Sequence, residues 1–375
     1  MHQPAPKKVV FVGGGHAHLY SLRHVDRLIQ EGTRVSVIGP ERYHYYSGMG
    51  PGMLSRIYTP EEVRVDIPAL IEPKGATFVK GRVTGIDPDR KSLNLDTGET
   101  IDYDLVSFNV GSHVPSDLID GAEKEAYPVK PIEHLESLRE EILSLMKKSS
   151  PKVLIIGAGP AGVEIAGNIW RLVNKNNGTA QITLAGAQDR MLPRFPEKAG
   201  LLAYDSLTRR GITILNGCMI TAMGDKKART AKGEEIAYDI AVLTIGIQPR
   251  QIFEGSGLRK ARNGSLLVNE FLQSVSHPEI FGGGDCITFD PKPLDMVGVY
   301  AVKQGPILFH NIISSLAGKE LKAFRPQKNY LLIFNLGDGT GIFVRGSFAV
   351  SARSAFILKY IIDRRFISQF KVSPD

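Results

Sequence analysis

An α/β fold made of two similar open-sheet units follows from three features of this sequence. Gly13-Gly14-Gly15-His16-Ala17-His18 and Gly157-Ala158-Gly159-Pro160-Ala161-Gly162 are glycine-rich turns that begin 144 positions apart. Each follows a short apolar run and opens a helical pattern. The third feature, Ile280-Phe281-Gly282-Gly283-Gly284-Asp285, is an apolar strand running into Gly-Asp late in the chain. One glycine turn alone is weak evidence. Two of them with a late Gly-Asp predict two Rossmann-like, three-layer ββα dinucleotide-binding domains, one holding a flavin and the other a nicotinamide.

In the first unit Val9–Val12 reads as a buried strand. Gly13, Gly14 and Gly15 let the chain reverse tightly and approach a pyrophosphate. The helix expected from about His16 to Gln30 points unpaired N–H groups and its positive dipole end at the phosphates. Strand two is Arg34–Ile38. His18 replaces the third glycine of the fingerprint, so the helix cannot pack as closely there. The ribose-binding acid expected after strand two is missing as well: Gly39-Pro40-Glu41-Arg42 stands in its place and offers Pro40 backbone or Arg42 to the adenosine.

The second unit keeps all three glycines, Gly157, Gly159 and Gly162, after a strand at Lys152–Ile156 and before a helix from Pro160 to about Leu172. Pro160 and Ala161 lie in its first turn, where proline costs no hydrogen bond. Glu164 either faces the flavin and nicotinamide or compensates the helix dipole. Strand two, Gln181–Leu184, again lacks a terminal acid. Asp189 and Arg190 are both available beyond it, so NADH against NADPH stays open.

Between the turns, Phe78–Asp87, Ser92–Asp96 and Glu99–Val110 read as strands, and the plan recurs as Thr213–Ile220 and Ile236–Ile245. Each copy ends on a strand followed by glycine, Gly111 and Gly246. The expected organisation is a discontinuous FAD-binding domain over 1–118 and 264–322, an NAD(P)-binding domain over 119–263, and a C-terminal helical and β segment over 323–375.

A chain of 375 residues with 42% hydrophobic content has room for two or three cores. No apolar run approaches the roughly 20 residues that span a bilayer. Met1–Lys8 is too short for a signal peptide, and two cysteines fit a reducing compartment, so the expected location is cytoplasmic. The net charge of +7 favours anionic lipid. No basic patch with interleaved aromatics suggests nucleic acid, and the scattered histidines suggest no metal site.

The two turns and the late Gly-Asp resemble the two-dinucleotide-binding-domain flavoproteins of the pyridine nucleotide-disulfide oxidoreductase superfamily. Gly13–His18, Tyr46-Ser47-Gly48-Met49, Pro128-Val129-Lys130-Pro131-Ile132 and Val299–Pro306 narrow the likeness to oxidoreductases related to type II NADH dehydrogenases, a subgroup also found fused to selenophosphate synthetase. The resemblance implies that Gly284 and Asp285 meet the flavin ribitol, that Tyr46, Ser47, Gly48 and Met49 line the flavin, and that Val83 belongs to the cofactor site. It also puts Lys303 and Gln304 at a helix start facing the isoalloxazine. A packed Tyr43–Tyr46 loop and a surface Lys303 are the structural alternatives.

Cys218, expected in a strand, and Cys286, after the ribitol aspartate, form no C-x-x-C or C-x4-C pair, so thiol mechanisms are not expected. The helix expected over 355–371 is apolar and basic. It suits a membrane interface leading a quinone to the flavin, but also a helix packed on the body or a homodimer contact. The expected function is therefore an FAD-dependent NAD(P)H oxidoreductase reducing a quinone-like acceptor, with the inner face of the cell membrane as one location. A soluble flavin reductase serving a protein or selenium-related partner, and a non-catalytic flavoprotein, are the alternatives.

Overall fold

The first apolar run forms the strand Lys8–Val12, which pairs in parallel with Arg34–Gly39 on one side and Leu105–Phe108 on the other. Residues 5–371 are described, in a computed structural model. Thr77–Lys80 extends this sheet at one edge and Ile280–Gly282 closes the other. The late Gly-Asp element is thus carried back to the first sheet. The second sheet repeats the plan, with Lys152–Ile156 between Gln181–Ala185 and Ile240–Leu243, and Thr213–Leu215 and Ala126–Pro128 outside them. Parallel strands buried on both faces read as unbroken apolar runs, which is why these segments show no alternation.

Each sheet carries a three-stranded antiparallel insert, Val83–Asp87 with Ser92–Leu95 and Thr100–Asp102, and Ile220–Gly224 with Lys227–Thr230 and Glu235–Ala237. Runs that read as single strands are split where the chain passes between insert and parallel sheet. Phe78–Asp87 breaks at Gly81-Arg82, and Ile236–Ile245 breaks at Tyr238-Asp239. Thr213–Ile220 divides in the same way, so Cys218 sits in a connecting loop rather than a strand. The aspartates at two such breaks are used alike: Asp104 accepts from the Lys8 amide at 2.6 Å and Asp239 from the Lys152 amide at 2.7 Å. Each fixes the start of a glycine-turn strand.

The expected first helix is two helices, His16–Arg23 and Val25–Gln30, broken where the His24 imidazole turns back to the Tyr20 carbonyl at 2.8 Å. The second runs Pro160–Lys175, a turn beyond Leu172. At the C-terminal end Leu331–Asn335, Gly341–Arg345 and Phe348–Ala352 form an antiparallel sheet, followed by the helix Arg353–Ser368. Among the described residues no helix is long and apolar enough to cross a membrane.

The third-glycine position separates the two units. A Cβ on Gly162 would stand 1.8 Å from the Gly157 carbonyl oxygen, so the second helix closes directly onto its turn. In the first unit the buried His18 ring fills that space. Its Nδ1 lies 2.6 Å from the Gly13 carbonyl and its Nε2 2.8 Å from Ser107 Oγ. A carbonyl only accepts, so Nδ1 carries the proton and Nε2 accepts from the Ser107 hydroxyl. His18 is a packing residue with both nitrogens satisfied, and its expected place against the cofactor is corrected.

Burial pushes the His18 imidazole down to about 4, against the raising effect of the Gly13 carbonyl. The unfolded chain takes up this proton near pH 6.5, the native chain only near 4. The stability this group contributes is therefore full above 6.5 and lost as pH falls from 6.5 toward 4, by about 3 kcal/mol. Urea titrations above and below pH 6.5 should show the loss. His18→Ala should cost about 1–3 kcal/mol near neutrality, by stranding Ser107 and the Gly13 carbonyl, and should remove this part of the pH dependence.

Candidate active-site cleft

Both glycine turns open onto one cleft of about 1740 Å³ at the carboxyl ends of the two parallel sheets. Single small-molecule pockets reach roughly 1,000 Å³, so this space admits two ligands side by side. Gly13, Gly14, Gly15, His16 and Pro40 line it on the first-unit side, and Gly157, Gly159, Pro160, Ala161 and Gly246 on the second. Ser47, Gly48, Val83, Gly111, Glu164, Gly284 and Asp285 line it as well.

Asn109 organises the first half. It follows Leu105–Phe108 and is buried. Its Oδ1 accepts from the Ala17 amide at 3.0 Å, and its Nδ2 donates to the Gly283 carbonyl at 2.6 Å. One carboxamide therefore locks the first helix to the late Gly-Asp turn. Gly284 has φ +74°, and a Cβ there would meet Asn109 Nδ2 at 2.4 Å. Its amide donates to Gln304 Oε1 at 2.7 Å. In the second unit Thr244 occupies the corresponding place, with Oγ1 2.8 Å from the carbonyls of Ile156 and Gly157.

Asp285 meets two partners. Ser112 Oγ donates to its Oδ2 at 2.7 Å, and Lys130 Nζ approaches the same oxygen at 3.1 Å and Ser112 Oγ at 2.8 Å. His16 and His44 stand close by, their rings edge to face at 5.0 Å. Burial, and then Lys130, lower His16 to about 4; burial, then His16 and Lys130, hold His44 well below its ordinary value. Both rings line the cleft, and among the described residues neither Nε2 has a hydrogen-bond partner. Orphaned buried nitrogens next to a glycine turn suit a polar ligand that completes them, as a flavin would. The residues present fit that cofactor.

Glu164 lies where the halves of the cleft meet. Its Oε1 accepts from the Asn335 amide at 2.8 Å, and burial raises it to about 7 against the lowering effects of Lys359 and that amide. Lys359 reaches in from the C-terminal helix, bonding the Gly48 carbonyl at 2.7 Å and Asp363 at 2.9 Å. Burial opposes the Lys359 ammonium, but Asp363 and Glu164 hold its pKa above the ordinary value. Tyr46 donates to the other Asp363 oxygen at 3.2 Å. The site therefore carries a fixed cation beside a carboxyl that titrates near neutrality.

Several expected site residues face elsewhere. Ala17 is buried against Asn109 and Met49 lies in the core. Gly162 packs on the Gly157 carbonyl, and Arg42 pairs with Asp66 at 2.8 Å. Lys303 is exposed and does not line the cleft. Gln304 is buried and holds Gly284, which makes it a positioning residue rather than a catalytic one. Asp189 lies outside the cleft. Arg190 lines it, but its guanidinium is taken up by the carbonyls of Leu192, Pro193 and Phe195. Asn109, Ser112, Lys130, His44 and Lys359 were not among the expected site residues. Aligning Phe108-Asn109-Val110-Gly111 with Leu243-Thr244-Ile245-Gly246 would have exposed the first.

The sequence matches the pyridine nucleotide-disulphide oxidoreductase family model over residues 7–311. Among curated proteins it is 24% identical over 386 residues to a type II NADH:quinone oxidoreductase of Staphylococcus saprophyticus, covering 96% of this chain and 95% of that one. It is 23% identical over 390 residues to the type II NADH:quinone oxidoreductase of Staphylococcus aureus strain NCTC 8325, covering 98% and 96%. NDH2 from Plasmodium falciparum in complex with NADH superposes with a TM-score of 0.83 at 16% identity, covering 97% of each chain. The sulfide:quinone oxidoreductase of Aquifex aeolicus gives 0.82 at 16% identity, over 97% of this chain and 91% of that one. At such identities the superpositions speak for the fold.

Asn109→Leu keeps the branched outline of the side chain but leaves the Ala17 amide and the Gly283 carbonyl unpaired. It should destabilise the chain by about 2–4 kcal/mol, read from urea denaturation near neutrality. Thr244→Val tests the equivalent contact in the second unit, with an expected loss of about 1 kcal/mol.

Proposed function

The chain belongs to the pyridine nucleotide-disulphide oxidoreductase family, and from that premise we propose that it oxidises NADH and reduces a quinone-like acceptor with FAD as its cofactor. The observation that carries this reading is the single cleft joining the two glycine turns, with Asp285 on one wall and Glu164 where the halves meet. The curated relatives named for NADH:quinone oxidoreduction, aligned along nearly the whole chain, support it.

FAD, when bound, supplies the two-electron carrier between donor and acceptor. Gly13–Gly15 and the following helix end would hold its diphosphate, and Asp285 with Ser112 and Lys130 would meet the ribityl hydroxyls. His16 and His44 would complete their open Nε2 valences on the bound cofactor. The turn Gly157–Ala161 takes the dinucleotide donor. With Arg190 committed to three carbonyls, its guanidinium is not free for a 2′-phosphate, which favours NADH. Glu164, protonated in part near neutrality, holds a proton for the acceptor, and Lys359 stabilises developing negative charge beside it.

The thiols take no part. Cys286 is buried and burial pushes it up to about 12, so it stays a thiol; Cys218 lines the cleft from another loop, and burial raises its pKa as well. The C-terminal helix supports delivery of an apolar acceptor. It turns Lys359 and Asp363 inward, while Ile357 and Ile361 stand 55% and 57% exposed with Leu358 and Ile362 alongside. With Arg353, Arg364 and Arg365 exposed around them, this face suits the anionic inner surface of the cell membrane.

Anaerobic stopped-flow should show the flavin bleached rapidly by NADH and more slowly by NADPH, then reoxidised by a soluble quinone. Absence of bleaching by either nucleotide would overturn the reading. Glu164→Gln should slow quinone reduction by about 100-fold while bleaching by NADH persists. In the unaltered chain quinone reduction should fall as pH rises through about 7, because the protonated carboxyl is the active form. The paired change Ile357→Ser and Ile361→Ser should abolish co-sedimentation with anionic vesicles. If it shifts a dimer to a monomer instead, that face is a homodimer contact.

A further inference from the structure

Four arginines line the cleft, and two of them are bound to the protein. Arg190 is held by three carbonyls, and Arg194 pairs with Asp295. Arg82 and Arg250 differ: among the described residues neither guanidinium makes a hydrogen bond or a salt bridge. Both line the same cleft, and burial first, then the Arg82 charge, lower the Arg250 pKa. Two like charges lining one cleft without a protein partner, one of them half-buried, suit an anionic ligand.

Their backbone positions say where that anion sits. The Gly81 amide bonds to the Gly39 carbonyl at 3.0 Å, so Arg82 stands beside Gly39-Pro40, where the ribose acid is missing. Asp96 fixes the Arg82 amide at 2.8 Å and leaves the side chain free. Arg250 comes from the opposite direction. Gln248–Pro249 pairs antiparallel with Ser112–His113, which hands the second unit's chain to the first-turn side of the cleft. Both arginines are thus carried on backbone that borders the first-turn side of the cleft.

We propose that Arg82 and Arg250 form a clamp over the adenosine-diphosphate half of the dinucleotide held at the first turn, pairing with its phosphate oxygens where a ribose acid is lacking. This rests on the reading of that cleft as the FAD site. A guanidinium offers a planar fork matched to phosphate, and charge-assisted contacts of this kind are stronger than a neutral hydroxyl–carboxylate contact. Arg82 belongs to the first unit and Arg250 follows the last parallel strand of the second. Closing the clamp therefore ties the two units together through the cofactor. A flavin without the adenosine-diphosphate half gains nothing from it.

The test uses the full chain stripped of flavin and titrated with FAD and with FMN, followed by flavin fluorescence. Arg82→Gln and Arg250→Gln should each weaken FAD by about tenfold or more, leave FMN binding unchanged, and be partly rescued by lysine at the same position. ADP should compete with FAD far better than adenosine does, and should lose that advantage in both variants. FAD binding within about twofold of the unaltered chain in both variants overturns the clamp, as does equal weakening of FAD and FMN. Adenosine competing as well as ADP overturns the phosphate assignment in favour of stacking on adenine. Failure of the unaltered chain to take up FAD overturns the flavin reading itself.

Discussion

The carboxamide of Asn109 is the contact on which the first half of the cleft depends. It joins the end of a parallel strand, the amide at the start of the first helix and the carbonyl before the late Gly-Asp turn. Those three segments are remote in sequence, and the carboxamide adds a side-chain lock where the sheet that pairs their strands ends. A buried amide that satisfies two backbone groups fixes both position and orientation, since either group left alone would cost most of its desolvation energy. Gln304 extends the arrangement by capping Gly284 from the helix Gly298–Leu316. Asp285 is aimed into the cleft because Gly283 and Gly284 before it are tied down.

The second unit reaches the same geometry by different means. Thr244 replaces Asn109, and a true third glycine lets the helix sit directly on the turn. The first unit has His18 at that point and uses the ring as a spacer with both nitrogens bonded. Equivalent backbones thus carry unlike side chains at their tightest points. The repeat is legible in strand order and in the glycines, but not in the residues that lock each copy.

The C-terminal helix reverses the usual arrangement of an amphipathic surface helix. Its charged pair Lys359–Asp363 is buried against Gly48, Tyr46 and Glu164, while isoleucines and a leucine face out. Burying an ion pair is costly unless its remaining valences are met. Here a backbone carbonyl, a tyrosine hydroxyl and a nearby carboxyl meet them. The same helix thereby brings a cation to the centre of the cleft and offers an apolar surface outside it.

Local pattern in the sequence was enough to establish the two sheets, the glycine turns and the return of Ile280–Asp285. These depend on short apolar runs and on backbone geometry that only glycine adopts. It also put Glu164 near the second glycine turn, facing the cofactors or compensating the helix dipole. A residue one turn into a helix whose start is known lies near that start, and Glu164 lines the cleft. Lys303 shows where such reasoning stops. Its helix packs on His16–Arg23 through Ala301, Gln304, Gly305 and Leu308, with Gly305 close against Ala17 and Tyr20. That contact sets the helix's rotation and turns residue 303 to solvent. The cations that do enter the cleft, Lys130 and Lys359, come from a connection and a terminal helix whose positions are fixed by long-range contacts. Spacing along the chain encodes which residues share a face; which way that face turns is decided by packing between segments distant in sequence.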